Sequence, residues 1–182
     1  MPIYKWEITA ILLALCAMGL AGQAVAQEKH SFTISAEGAK GRYVRQMVID
    51  VDDVAGHQVR VFEIQRTFAT NQRPVIDGEA IVEQWVRGTS SYIAGIGANS
   101  GFTTCLTETG EKIFLEFNGV ADAKPTASGA RRGISNGAIK IVGGTGRFSK
   151  IRGTGFDVSE FDTDPKDGYN RSTTKGEYWF IE

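Results

Sequence analysis

An all-β fold, in the form of a single small closed antiparallel barrel of about eight strands behind a signal peptide, is predicted by three observations. Short runs rich in Val, Ile, Phe, Thr and Tyr recur along the chain, several with the period of two that a half-buried strand requires. Gly, Asn and Asp punctuate them, and 22 Gly against 4 Pro allow many sharp reversals with few strand breakers. No window after residue 26 carries an apolar stripe at helical spacing with caps.

Taken in order, the first element is a signal segment. Lys5 precedes an apolar run from Ile8 to Gly22, and Ala24-Val25-Ala26 supplies the small-x-small site before Gln27. The run is shorter than the ~20 residues that span a bilayer, which argues against an anchor. Cys16 raises a lipoprotein alternative, but Leu15 stands where such a site needs a small residue. Cleavage after Ala26 leaves 27–182 as one domain, secreted or periplasmic.

Strands are predicted at Ser31–Ala36, Tyr43–Val51, Gln58–Phe68, Ala80–Arg87, Tyr92–Ala98, Phe102–Thr107, Lys112–Asn118, Gly137–Val142, Gly155–Phe161 and Gly176–Ile181. In Lys112–Asn118, Ile113, Leu115 and Phe117 share one face, with Glu116 on the other. In Ala80–Arg87, Ile81, Glu83, Trp85 and Arg87 oppose Ala80, Val82, Gln84 and Val86. Thr109-Gly110 reads as a hairpin turn. Two stretches, Ala121–Arg132 and Asp162–Thr174, read as longer loops.

Closure is expected because open sheet edges invite association. About eight strands enclose room for side chains or one small ligand. A membrane-spanning barrel needs an outward apolar band. Arg60, Glu63 and Arg66 fall on both faces of Gln58–Phe68, so the chain is not read as membrane-integral once the signal is removed.

The formal net charge is −1, with both signs interspersed, which implies no basic face and no nucleic-acid partner. Only Cys105 remains after cleavage, so no internal disulfide forms and the core must supply the stability. In Thr103-Thr104-Cys105-Leu106-Thr107 the thiol reads as a small buried strand residue rather than a nucleophile.

Ile141-Val142-Gly143-Gly144-Thr145-Gly146-Arg147-Phe148, continued by Ile151-Arg152-Gly153-Thr154-Gly155, lacks the Gly-Lys-Ser/Thr of a phosphate loop and the strand-to-helix turn of a dinucleotide fingerprint. Its glycines permit tight reversal, after which Phe148 re-enters the core. This run resembles a strand-end motif of the allene oxide cyclase-like and dirigent-like barrels. The likeness covers about 15 residues near the C-terminus, and elsewhere it extends only to strand rhythm and the aromatic end Tyr178-Trp179-Phe180. The resemblance implies an eight-stranded antiparallel barrel, often trimeric, with a pocket for an apolar organic molecule. No catalytic residue is carried over from it.

No cofactor or metal is expected. Asp162, Asp164 and Asp167-Gly168 are off register for a calcium loop, since Lys166 and Thr173 fall where ligands belong. Asp50, Asp52 and Asp53 read as a solvated strand end. His30 and His57 show no metal-ligand pattern. Asn170-Arg171-Ser172 is a formal glycosylation sequon, relevant only in a eukaryotic secretory route.

Polar residues among apolar strand neighbours are the site candidates: Glu63, Arg66, Glu83, Arg87, Glu116, Asp157 and Tyr178. An inward carboxylate facing an inward arginine could bind or polarise a ligand carbonyl. Glu83, Trp85, Arg66 and Tyr178 are taken as the ligand-binding set, with Glu83 beside Trp85 as the first choice for a pocket wall. The preferred function is interior binding of a small hydrophobic or aromatic organic ligand. A cyclase- or dirigent-type enzyme steering a reactive intermediate is the alternative, and a filled structural or interaction barrel is the third. An inward acid–base pair in a cavity favours the second, and a filled interior favours the third.

Overall fold

In a computed structural model, residues 27–164 and 166–182 are described, so the expected signal segment lies outside them. The strands are β1 (His30–Ser35), β2 (Lys40–Asp50), β3 (His57–Thr67), β4 (Val75–Ile76), β5 (Glu79–Ile93), β6 (Ile96–Thr107), β7 (Lys112–Pro125), β8 (Arg131–Gly144), β9 (Ile151–Asp162) and β10 (Tyr169–Phe180). Two single-turn 3-10 segments, Thr70–Gln72 and Gly146–Phe148, are the helical pieces among the described residues.

All pairings are antiparallel, in the order β1-β10-β9-β8-β7-β6-β5-β3-β2, with the two-residue β4 alongside β5. The all-β expectation holds. The expected closed barrel of about eight strands does not: the sheet has ten strands, and β1 and β2 end it without pairing to each other. The reason lies in the length of β1. It covers only the Thr173–Tyr178 stretch of β10, after which the chain turns at Ala36–Ala39 and β2 pairs with β3 instead. Side chains bridge the seam that remains: Arg66 of β3 donates to Asn170 of β10, and a Cβ on Gly41 of β2 would lie 2.5 Å from the Asn170 carbonyl oxygen. The sheet thus curls around an interior while its hydrogen-bond ladder stays open.

Several strands run longer than expected. Tyr92–Ala98 is not one strand but the turn joining β5 to β6, where Ala94 (φ 51°) and Gly95 (φ 94°) both take positive φ. Asp77 (φ 50°) and Gly78 (φ 79°) make the corresponding reversal between β4 and β5. This is the two-residue hairpin geometry that matches strand twist. The two expected loops shrink to short turns, because β7 and β8 extend to Pro125 and from Arg131, and β9 and β10 to Asp162 and from Tyr169.

One end of the interior is filled. Phe32, Ile34, Ile81, Ile113, Ile141 and Phe148, with Cys105 and Ile151, form a continuous buried cluster there. Phe148 is 0% exposed and enters the core as expected. Gly144 lets it in, since a Cβ there would sit 2.6 Å from the Phe148 Cβ and 2.3 Å from the Lys112 carbonyl oxygen. Ile113 and Leu115 are buried on the inner face of β7, as the period of two requires. The outer face carries exposed apolar side chains, among them Phe102 (59% exposed), Val120, Phe156 and Val158.

Candidate functional site

Beyond the filled end, the middle of the interior is hollow. An open-mouthed cavity lies between strands β2, β3 and β5–β10. Its apolar wall comes from Phe62, Ile64, Val86, Leu115, Phe117 and Ile139. Gly88 lets the Phe62 and Phe117 rings lie against the sheet, since a Cβ there would stand 2.8 and 2.9 Å from their Cζ atoms. The cross-strand partner of Phe62 is Gly88 itself. Large aromatic rings thus fold inward over bare backbone, and among the described residues no side chain fills the space beyond them.

The polar wall is organised around Arg66, which is 6% exposed. Its Nε donates to Asn170 Oδ1 at 3.1 Å and its Nη1 to Gln84 Oε1 at 3.1 Å, while Nη2 also donates to Asn170 Oδ1. Gln84 in turn donates from Nε2 to Cys105 Sγ at 3.3 Å. No carboxylate among the described residues lies within 4.0 Å of this guanidinium. Burial pulls the Arg66 pKa down from its usual range, opposed first by the Asp157 charge. Burial also pushes the Tyr43 phenol up, against the Arg60 cation.

Asp157 is the acidic residue of the cavity wall. Its two oxygens accept from the Thr174 and Ser159 hydroxyls, each at 2.5 Å. The register explains the grouping, because Asp157 of β9 stands opposite Thr174 of β10 and Gly137 of β8. A cation held by two carboxamides and an anion held by two hydroxyls therefore share one cavity without touching.

A second recess, lined by Gln58, Arg60, Ser90, Tyr92, Arg131 and Phe161 among others, shares Arg60, Tyr92 and Phe161 with the cavity. Arg60 lies over the rings of Tyr43 (5.4 Å) and Phe62 (4.9 Å), and Arg131 reaches across to Gln58 Oε1 at 2.9 and 3.1 Å. The Ser90 hydroxyl is buried with no partner among the described residues.

Of the four residues expected to bind ligand, Arg66 alone lines this cavity. Glu83 and Trp85 lie on the outer face, Glu83 accepting from Gln65 and Trp85 beneath the Arg87 guanidinium at 5.3 Å. A bulge between Ile81 and Glu83 is responsible, because it shifts the alternation and turns Ile81, Gln84 and Val86 inward. Tyr178 is buried at the filled end, stacked on His30 at 5.2 Å and donating to Asp77 Oδ1 at 3.2 Å. Burial raises its phenol, with the Asp77 charge adding to the effect. Glu63 and Arg87 pair on the outer face at 2.8 Å, and Asp157, from the wider candidate set, points inward.

Sequence reasoning missed Gln84, Asn170 and Tyr43. In the alternation Gln84 is the polar residue on the face of Val82 and Val86, and Asn170 falls within Asp162–Thr174, which reads as loop from sequence.

The Asp162 and Asp164 carboxylates serve local structure. Asp162 pairs with Arg132 at 2.8 Å, and Asp164 accepts the Lys166 and Asp167 amides at 2.8 and 3.2 Å. The Ser128 hydroxyl, then those amides, hold the Asp164 carboxyl below the usual range. Among the described residues no group of three or more His, Cys, Asp and Glu side chains is placed to hold a metal ion, and no helix is long and apolar enough to cross a membrane. No family model, curated protein or solved structure matches the chain.

Proposed function

We propose that the chain is an exported binding protein that holds one small organic molecule, largely apolar or aromatic, in the hollow part of its interior. The observation that carries this reading is the unequal filling of one interior: a dense aliphatic end, and beside it an open-mouthed cavity walled by aromatic rings on one side and hydrogen-bonding groups on the other. A concave site with an apolar wall and a few convergent polar groups is how proteins hold small ligands. The resemblance of the Ile141–Gly155 stretch to the allene oxide cyclase-like barrels supports a ligand of this kind. Export rests on the signal-like sequence before Gln27. Self-association rests on that likeness and on the exposed outer residues Phe102, Val120, Phe156 and Val158, and size-exclusion chromatography reads it directly.

The test uses N-phenyl-1-naphthylamine, a neutral apolar fluorophore. Its emission rises on transfer to a dry site, and one equivalent is expected to bind. Val86→Trp, which places an indole in the cavity, is expected to abolish that binding, while Phe102→Ser on the outer face leaves it intact. No enhancement in the wild type, or enhancement lost in Phe102→Ser and kept in Val86→Trp, would sink the reading.

A second reading draws on the shared placement of Arg66 and Asp157. An N–H donor for a ligand carbonyl and a carboxylate for a proton are the parts an isomerising or cyclising site needs. A molecule recovered from the native host and returned to the protein would then change chromatographic retention without changing mass, and Asp157→Asn would stop the change. Unchanged retention with wild-type protein removes this reading and leaves simple binding in place.

A further inference from the structure

We infer that the ligand is an organic oxyanion, an apolar body bearing one carboxylate-like group, anchored on Arg66. This deepens the binding reading above and rests on it.

Three independent observations lead there. A guanidinium has five N–H donors. The bonds to Asn170 and Gln84 use the Nε–H and one N–H on each terminal nitrogen, so one N–H on Nη1 and one on Nη2 have no acceptor among the described residues. Second, the charge itself is uncompensated at contact range. A buried cation is costly unless a counter-charge meets it, and the groups touching Arg66 are neutral carboxamides. Asn170 and Gln84 accept from Arg66 but add no negative charge, so they orient the fork and leave its charge for something else. Third, the lining is charged against the trend of the chain. Arg60, Arg66 and Arg131 line the cavity and its adjoining recess, with Asp157 as their acidic residue. The whole chain has a formal net charge of −1. An interior positive in a slightly negative protein draws anions inward, and its low-dielectric walls strengthen that field.

Asp157 does not fill the role. Both its oxygens are engaged by Ser159 and Thr174, and it stays beyond ion-pair distance of Arg66. Its charge limits the site instead, since a second anionic group on the ligand would meet it. A monoanion fits best. The recess at Arg131 and Arg60 adjoins this site, and the aromatic wall around Phe62 and Phe117 takes the body.

The experiment compares two probes that differ by one group: neutral N-phenyl-1-naphthylamine and its sulfonate, 8-anilino-1-naphthalenesulfonate. With wild-type protein at low salt the sulfonate is expected to bind roughly tenfold or more tightly than the neutral probe, as a charge-assisted contact to a buried arginine implies. Arg66→Gln should erase that difference between the two probes. The wild-type comparison needs no variant, so poor folding of Arg66→Gln does not remove the test. Phe102→Ser excludes binding of either dye to the outer face. Equal or weaker binding of the sulfonate overturns the oxyanion and leaves interior binding standing. Binding of neither probe overturns both.

Discussion

At the end of the interior where β6 turns into β7, the inward side chains are Ile81, Cys105, Ile113, Ile141 and Ile151, closed off by Phe148. In the other half, the same strands turn Val86, Ser90, Asn99, Gly119 and Asp157 inward, and a cavity results. Antiparallel pairing runs through both halves along β5 to β10, and its two bulges, at Ile81/Glu83 and Phe114/Leu115, fall toward the filled end and so do not make the hollow. What differs is side-chain volume and polarity at inward positions. Branched aliphatic residues interdigitate to near-crystalline density, whereas glycines and short polar residues leave space. One half therefore carries stability and the other is free to carry a ligand.

The largest test of that division is truncation at the filled end. Phe148→Ala removes a ring with no exposure, wedged between Gly144 and the aliphatic cluster, and should cost about 3–5 kcal/mol. Urea unfolding reads this as a lowered midpoint at unchanged slope. A loss under about 1 kcal/mol would mean that the end is loosely packed and that the contrast between the halves fails.

Cys105 sits at the boundary, inside the aliphatic cluster yet receiving the Gln84 hydrogen bond. Burial pushes its thiol up to about 11 from an ordinary 9.0. Below about 9 both folded and unfolded chains hold the proton, and its full contribution to stability is present. Between about 9 and 11 the unfolded chain loses the proton first, so the native state binds more protons and stability falls as pH rises. The full effect is roughly 2–3 kcal/mol across that window. Urea unfolding at stepped alkaline pH should show this slope in the wild type and a shallower one in Cys105→Ala. Equal slopes would place the thiol in contact with water and move the boundary toward the filled end.

How much of this division was legible in the sequence follows from which signals are local. The Ile113-Leu115-Phe117 alternation and the turn at Thr109-Gly110 are local, and both appear in the structure. Phe148 after its glycine run is local too. The Asp77-Gly78 hairpin was equally readable and went unread. The inward face of β5 was not readable, because one bulged residue reverses the alternation, and no residue type near Val82 announces it. That single shift exchanged Glu83 and Trp85 for Gln84 and Val86 as pocket wall. The Arg66–Asn170 contact joins residues 104 positions apart. It depends on how far the sheet curls, which no window of sequence contains. Closure failed for a related reason: β1 is too short to cover β10, and strand length is the property least fixed by periodicity.

The smallest expected effect is the most diagnostic of the hollow half. Arg66→Met removes three hydrogen bonds, each worth about 0.5–1.5 kcal/mol net. It also removes a buried cation whose desolvation no carboxylate among the described residues repays at contact distance, and relief of that cost offsets the lost bonds. The two contributions oppose each other, so the unliganded protein should change in stability by less than about 1 kcal/mol. At the filled end the same exchange of one long side chain would leave a clash or a void. A loss above about 3 kcal/mol on Arg66→Met would identify the guanidinium as part of the folding core, held for structure and not for a ligand, and the polar half would then differ from the aliphatic half only in chemistry, not in purpose.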